Sequence, residues 1–322
     1  MTRVVLAGNY PEHTFEKLRK LLSEKDFELI PVDTAEAYEA MTDAEIIILR
    51  IFKAPRDVIE KNRNLKMILR WGAGFDSVDI EAAGERGVVV TNTPGANAPA
   101  VSELAVMLMM AVGRKLLCHT ESLKSGMWSK NTFMNSSFCL NHKTVGIVGA
   151  GNIGRRTAAG VQAFGAKVQY YDPFRLTYEQ EEKYGMHYVD FKTLLETSDI
   201  VSLHIPLSEE THHLIGAAEL ARMKDGAILI NTARGGLVDD HALAGAVKAG
   251  KLSGAGLDGV ENEPLKADDE LLALPDIIVT PHIGGGTADI SDMIIPMLVK
   301  DITDFAAGKL LEHVVNQKYL PS

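Results

Sequence analysis

Apolar positions along the chain fall in short runs separated by polar stretches with helical spacing. In the N-terminal part, strand-like runs lie at Val4–Ala7, Phe27–Val32, Ala44–Leu49, Leu65–Arg70 and Val88–Thr91. Helical signals lie between them, as at Phe15–Leu22 and Asp79–Ala83. Alternation of this kind predicts a parallel α/β sheet. A turn-rich stretch, Asn92 to Pro99, interrupts it. Behind that stretch Val101, Leu104, Ala105, Leu108, Met109 and Val112 recur at helical spacing and predict a long buried helix joining two domains. Pro99 suits its first turn, Glu103 suits the positive end of its dipole, and its methionines read as core filler. Strand-like runs then resume at Thr144–Val148, Lys167–Tyr171, Asp199–Ile205, Ala227–Thr232, Ala255–Leu257 and Ile277–Thr280. Ile290 to Phe305 has helical spacing, with Pro296 predicting a kink, and an extended tail follows.

One turn in the second half carries specific chemistry. The run Thr144–Val148 leads into Gly149-Ala150-Gly151-Asn152-Ile153-Gly154, then a helix-like stretch from Ile153 to Phe164, then a strand-like run ending on Asp172. This is a βαβ unit with a GxGxxG turn and an acidic residue roughly 20 positions on. Gly149 allows the tight turn, Gly151 admits a pyrophosphate, and Gly154 lets helix and strand pack closely. Free N–H groups at the helix start suit the phosphates. A carboxylate at Asp172 accepts ribose hydroxyls and repels a 2′-phosphate, which favours NAD over NADP; Arg175 nearby is read as a surface residue.

The 322 residues suffice for two domains, and a formal net charge of −10 without a basic block argues against nucleic acid as a partner. Two cysteines, Cys118 and Cys139, are too few for a disulfide scaffold, and neither has a zinc-ligand spacing, so no metal is expected. The N-terminus lacks the apolar stretch of a secretory signal, and Leu104 to Gly113 is too short to span a bilayer. The expectation is a cytoplasmic protein without membrane association.

Three polar residues sit where strand-like runs end: Arg234, Glu263 and His282. In an open parallel sheet the carboxyl ends of strands face the ligand crevice. Singly, each has a plainer explanation: a surface ion pair, a solvated loop carboxylate, a capping imidazole. Together they match the reduction of a 2-oxo acid, which needs a hydride, a proton for the carbonyl oxygen and a cation for the carboxylate. His282 suits the proton, Glu263 the imidazolium, and Arg234 the carboxylate.

Several segments in order resemble the D-isomer-specific 2-hydroxyacid dehydrogenases over essentially the whole chain. They are Gly72-Ala73-Gly74-Phe75-Asp76-Ser77-Val78-Asp79, Asn92–Asn97, Gly149–Arg155, His204-Ile205-Pro206-Leu207, Asn231–Gly236, Gly256-Leu257-Asp258, Glu263-Pro264 and Pro281-His282-Ile283-Gly284. The resemblance implies an α/β protein with two Rossmann/flavodoxin-like doubly wound parallel-sheet domains. The cofactor domain, 99–288, is inserted into a discontinuous substrate domain, 1–98 and 289–322. It implies NAD as cofactor, Arg234, Glu263 and His282 as the catalytic trio, and Asp258 at the nicotinamide carboxamide. Around the rest of the cofactor it puts Gly149, Gly151, Asn152, Ile153, Gly154, Asp172, His204, Pro206, Thr211, Thr232, Ala233, Arg234, His282, Gly284 and Gly285. The substrate carboxylate is expected against the backbone N–H groups of Ala73 and Gly74, with Asn97 nearby, and the usual assembly is a homodimer.

Two departures stand out: Gly259-Val260 replace the usual Val-aromatic pair after Asp258, and Trp71, read as a core residue, stands where a small residue is common. Arg50, with Phe52 and Lys53, follows a strand-like run; a cation there suits a phosphorylated acid, and a solvated loop with one buried aromatic accounts for the segment equally well. The leading expectation is an NAD-dependent enzyme interconverting a D-2-hydroxyacid and its 2-oxo acid. The alternative is an NAD(H)-sensing, corepressor-like interaction protein on the same scaffold, against which the compact length weighs. A formate dehydrogenase is disfavoured, because that branch carries Gln where Glu263 stands.

Overall fold

The computed structural model describes residues 1–128 and 130–321. It divides into two compact units, Met1–Asn97 with Thr287–Ser322, and Ala98–Gly286. In the first, β1 (Thr2–Ala7), β2 (Phe27–Val32), β3 (Ile46–Leu49), β4 (Met67–Arg70) and β5 (Val89–Thr91) form one parallel sheet in the order β2-β1-β3-β4-β5. Every residue of β3 is buried, because both faces are covered. Ile46 and Ile48 join a cluster with Met67, Leu69, Ile294, Leu298 and Ile302. Ile47 and Leu49 face the other way, toward Ile59, Ile68 and Ala83.

The C-terminal segment belongs to this unit. The helix Ile290–Ala306 runs through Pro296 without a break in assignment and buries Ile294, Ile295, Leu298 and Ile302. Asn316 then closes the sheet edge: its Oδ1 accepts from the Val90 N–H at 2.9 Å and its Nδ2 donates to the Val88 carbonyl at 2.8 Å. The expected extended tail is broken by a short 3-10 turn at Gln317–Tyr319. Trp71 lies in the core, 7% exposed, edge-on to Tyr10 with centroids 4.9 Å apart.

The second unit carries β6 (Thr144–Val148), β7 (Lys167–Tyr171), β8 (Met186–Tyr188), β9 (Ile200–Leu203), β10 (Ala227–Asn231), β11 (Leu252–Leu257) and β12 (Ile277–Val279). They form one parallel sheet in the order β12-β11-β10-β9-β6-β7-β8. The strand order reverses between β6 and β9, which is where doubly wound sheets open a ligand crevice. The helix Ala98–Gly113 buries Val101, Leu104, Ala105, Leu108, Met109 and Val112, as its spacing predicts. Glu103 is a correction. The helix starts at Ala98 and its first turn holds no acidic residue, so Glu103 lies beyond the reach of the N-terminal dipole. Met107 is also 51% exposed rather than core filler. Cys118 is buried, Cys139 exposed, and both are free thiols. Among the described residues no helix is long and apolar enough to cross a membrane.

Candidate active site

The order of strands in the second sheet sets out the site. Across the sheet as β7-β6-β9-β10-β11-β12, the segments leaving the carboxyl ends begin with Asp172, the glycine loop, His204, Thr232 to Arg234, Asp258, and Thr280 to His282. A chain of ligand groups laid across these ends would meet them in that order.

The glycine loop is built for close approach. A Cβ on Gly154 would lie 2.0 Å from the Gly149 carbonyl oxygen, so any side chain there would push the turn off the helix. Gly149 itself has φ 99°. At Gly151 a Cβ would meet nothing within 4 Å, leaving open space above the turn. The helix Asn152–Ala163 that follows has no side-chain N-cap, so its first N–H groups are left for another acceptor. The Asp172 Oδ2 accepts from the Ala150 N–H and its Oδ1 from the Phe174 N–H, both at 2.8 Å. This fixes the carboxylate beside the loop while each oxygen keeps a further lone pair. Arg175 turns away: its Nε lies 2.8 Å and its Nη2 3.2 Å from the two Glu181 oxygens.

Two sealed polar atoms lack protein partners in the middle of the row, the His204 Nδ1 and the Thr232 Oγ1. Open space at Gly151, an uncapped helix start and these orphaned atoms fit a dinucleotide bound along the strand ends. His204 Nε2 sits 3.0 Å from the Ser202 Oγ. Burial pushes its imidazole down to about 3, so the ring is neutral in the folded protein. Thr211 holds the neighbouring turn, donating to the Pro206 carbonyl at 2.9 Å and accepting from the Ser208 N–H at 2.7 Å.

The depressed His204 value has a consequence for stability. Between its ordinary pKa of about 6.5 and the folded value of about 3, the unfolded chain takes up a proton that the folded chain refuses. Stability therefore falls as pH drops through that window, by at most about 1.4 kcal/mol per pH unit from this residue. His204→Gln is expected to flatten the decline between about pH 6 and pH 4 in denaturant titrations. An unchanged slope would contradict it.

Asn231, the last residue of β10, shapes the next segment. Its Oδ1 accepts from the Ala233 N–H at 3.1 Å and its Nδ2 donates to the Arg234 carbonyl at 2.7 Å. The Arg234 Nη1 donates to the Ala233 carbonyl at 2.8 Å. Gly235 sits directly against the next loop: a Cβ there would lie 1.9 Å from the Val260 carbonyl carbon. Gly259 reciprocates, with a Cβ position 3.0 Å from the Gly235 nitrogen. The departure at Gly259 thus lets the segment after β11 pack backbone to backbone on the segment after β10.

Asp258, 3% exposed, anchors the third loop. Its Oδ1 accepts from the Thr280 Oγ1 at 2.6 Å and the Ile283 N–H at 2.8 Å, and its Oδ2 from the Gly284 N–H at 2.7 Å. These bonds bracket His282, which has φ 54°, a left-handed conformation uncommon for a residue with a Cβ. The structure brings Glu263 and His282 together. The His282 Nδ1 lies 3.0 Å from Oε2 and 3.2 Å from Oε1 of Glu263, and Oε1 also accepts from the Val260 N–H at 3.3 Å. Both side chains are partly exposed, at 46% and 41%.

In the first unit, the loop after β4 has its carbonyls held by side chains. The Asn92 Nδ2 donates to the Ala73 carbonyl at 2.6 Å, and the Arg70 Nε to the Gly74 carbonyl at 3.0 Å. Among the described residues no acceptor lies on the Ala73 or Gly74 N–H. Asn97 has a sealed, unpartnered Oδ1. Arg50 donates to the Asn9 carbonyl and stands over the Tyr10 ring. Spacing alone did not single out Arg70, Asn92, Asn231 or Thr280. The available signal was a polar residue closing a strand-like run.

The model of the D-isomer specific 2-hydroxyacid dehydrogenase NAD binding domain matches residues 106–284. The chain is 41% identical over 282 residues to a glyoxylate reductase of Thermococcus litoralis, covering 86% of this chain and 85% of that one. It is 41% identical over 280 residues to a hydroxypyruvate reductase of Thermotoga maritima, covering 85% and 89%. A D-lactate dehydrogenase from Aquifex aeolicus, solved with NAD and lactic acid, superposes with a TM-score of 0.85 at 29% identity, covering 100% of both chains.

Proposed function

The chain belongs to the D-isomer-specific 2-hydroxyacid dehydrogenases and is an NAD-dependent enzyme of that class; from that premise we propose that His282 exchanges the proton of the substrate hydroxyl, with Glu263 orienting it and Arg234 binding the substrate carboxylate. The observation that carries this is the 3.0 Å contact between the His282 Nδ1 and Glu263, on a loop pinned by Asp258.

NAD, when bound, supplies or takes the hydride. With the Nδ1 turned to Glu263, the proton is exchanged at the His282 Nε2. The carboxylate holds the ring through Nδ1, so in the reductive direction Nε2 delivers a proton to the carbonyl oxygen. In the oxidative direction the same atom accepts it. The planar Arg234 fork suits a carboxylate and polarises the adjacent carbonyl. In the first unit, the Ala73 and Gly74 N–H groups, their carbonyls already held, are assigned to substrate binding together with Arg50 and Asn97.

For the cofactor, Gly149, Gly151, Asn152, Ile153 and Gly154 are assigned to the pyrophosphate and Asp172 to the adenosine ribose. His204, Pro206, Thr211, Thr232 and Ala233 follow along the row, and Asp258, Gly284 and Gly285 stand at the nicotinamide end. Arg175 is engaged by Glu181, which supports reading it as no partner for a 2′-phosphate beside Asp172. Asp172→Ala is expected to cut the preference for NADH over NADPH by about tenfold, since removing a carboxylate repelling a phosphate is worth about 1.4 kcal/mol or more. An unchanged ratio of kcat/KM values would remove Asp172 from the ribose.

The substrate is read as a small unbranched 2-oxo acid. The names of the Thermococcus litoralis and Thermotoga maritima relatives support this. NADH consumption measured against glyoxylate, hydroxypyruvate, pyruvate, a branched 2-oxo acid and 3-phosphohydroxypyruvate tests it. The small acids should turn over fastest, and a clear lead for the phosphorylated acid would overturn the choice. Exposed apolar side chains at Met107, Leu116, Leu117, Leu123, Met127 and Met134 support a homodimer formed through the second unit. Two free thiols suit the cytoplasm. Nothing favours the corepressor-like alternative over an enzyme.

A further inference from the structure

On the outer parts of the segments that follow β9 and β11, the second unit gathers His212, His213 and Glu261. One ligand atom from each lies within 4.8 Å of the other two. The His213 Nε2 is 2.8 Å from the Glu261 Oε1 and the His212 Nε2 is 3.9 Å from the same oxygen. The two imidazoles stack, with centroids 4.0 Å apart. Tetrahedral zinc with bonds of about 2.0–2.2 Å spaces its ligand atoms about 3.3 Å apart, between the two distances seen. Side-chain rotations that move these ligand atoms by about half an ångström or more would bring the three to that spacing.

The backbone around the cluster is fixed from three sides. The His213 N–H donates to the Gly236 carbonyl at 2.7 Å, and Ile215 pairs with Val238. The Glu261 N–H donates to the Asp240 Oδ2 at 2.8 Å, and Val260 lies against Gly235. His213 itself has φ 51°, which turns its ring toward its neighbour's face rather than to the opposite side of the segment. Two imidazoles and one carboxylate are a common zinc donor set with room for a water as fourth ligand. Hydrogen bonds that hold ligand-bearing backbone raise affinity in such sites.

We propose that His212, His213 and Glu261 bind a divalent transition-metal ion of the zinc class. The ion would tie the segment 211–213 to the loop 259–263 and stabilise the folded chain by an amount that rises with the logarithm of its concentration above Kd. The cysteine spacing does not signal this site, because its ligands are sequence-distant and contain no thiol.

The test is zinc titration of the full chain in a Cys139→Ser background, which removes the exposed thiol. Calorimetry or competition with a chromophoric chelator reads affinity, and thermal unfolding with and without zinc reads stabilisation. The proposal expects one saturable equivalent and a Tm that rises with zinc and returns with chelator. It expects His212→Ala and Glu261→Gln each to weaken binding by more than about tenfold, since loss of a ligand costs at least what loss of an outer-shell partner does. Both changes are at exposed side chains, and an unchanged metal-free Tm verifies folding. Absence of saturable binding, or binding undiminished in both variants, would overturn the proposal.

Discussion

His282→Ala is expected to lower kcat by about 10²- to 10⁴-fold, the range for removal of a general acid–base group, while NADH binds with a nearly unchanged Kd. The split follows from where the side chain stands. His282 is bracketed by the Ile283 and Gly284 N–H bonds to Asp258, which are made by backbone and survive the substitution. The glycine loop, Asp172 and Thr232 lie on other strands of the sheet. Histidine takes the left-handed φ of 54° at position 282 somewhat more readily than alanine does, but the two backbone bonds to Asp258 should keep the loop on its course. Glu263→Gln should lower kcat less. The amide can still accept from Nδ1–H, but through a neutral oxygen that makes a weaker hydrogen bond than the carboxylate does. Stopped-flow turnover and fluorescence titration of NADH check both. Full activity in His282→Ala would remove the proton from this residue.

Asp258→Ala carries the second large effect, and it acts on stability as well as rate. Asp258 is buried and accepts three hydrogen bonds, from Thr280, Ile283 and Gly284. Its removal leaves two backbone N–H groups without their acceptor and the Thr280 hydroxyl with only its longer bond, 3.3 Å, to the Leu257 carbonyl. Bonds to an ionised acceptor contribute about 1.5–3 kcal/mol each, though not additively. A loss of about 3 kcal/mol or more is therefore expected, equivalent to roughly 6–12 °C in Tm for a unit of this size. The same change releases the loop that aims His282 toward Glu263, so kcat should fall by about tenfold or more in the fraction that stays folded. Differential scanning calorimetry and steady-state kinetics on the same samples separate the two losses. Wild-type Tm and kcat in this variant would show that the loop is held by something other than Asp258.

Much of the fold was legible in the sequence because the strands are buried on both faces. Runs such as Ile46–Leu49 and Ala227–Asn231 have no polar alternation to confuse them, and each lies where its apolar run predicts. The strand Met186–Tyr188 was not legible. It is an edge strand of three residues, only one of them buried, and its sequence lacks the apolar run that marks the others. Glu103 was misplaced because the helix begins earlier than its spacing suggests, at Ala98, inside the turn-rich stretch. In the site, the strand-end positions of Arg234, Asp258 and His282 were readable. The pairing of Glu263 with His282 depends on a loop whose path no periodicity reports. The supporting residues Asn231, Thr280, Arg70 and Asn92 bond to backbone atoms brought near by the sheet, and short-range patterns do not encode those contacts. The clamp between Gly235 and Val260 joins two loops from neighbouring strands and becomes visible only when the strands are placed side by side.

Transfer of a labelled hydride tests the central claim most directly. The full chain, given hydroxypyruvate and NADH deuterated at the nicotinamide C4 on one face or the other, should form glycerate. With one of the two labelled forms the deuterium should appear at C2, and the product should be the D-isomer throughout. Formation of L-glycerate, or of glycerate that carries deuterium from neither form, would contradict direct hydride transfer in a D-specific site.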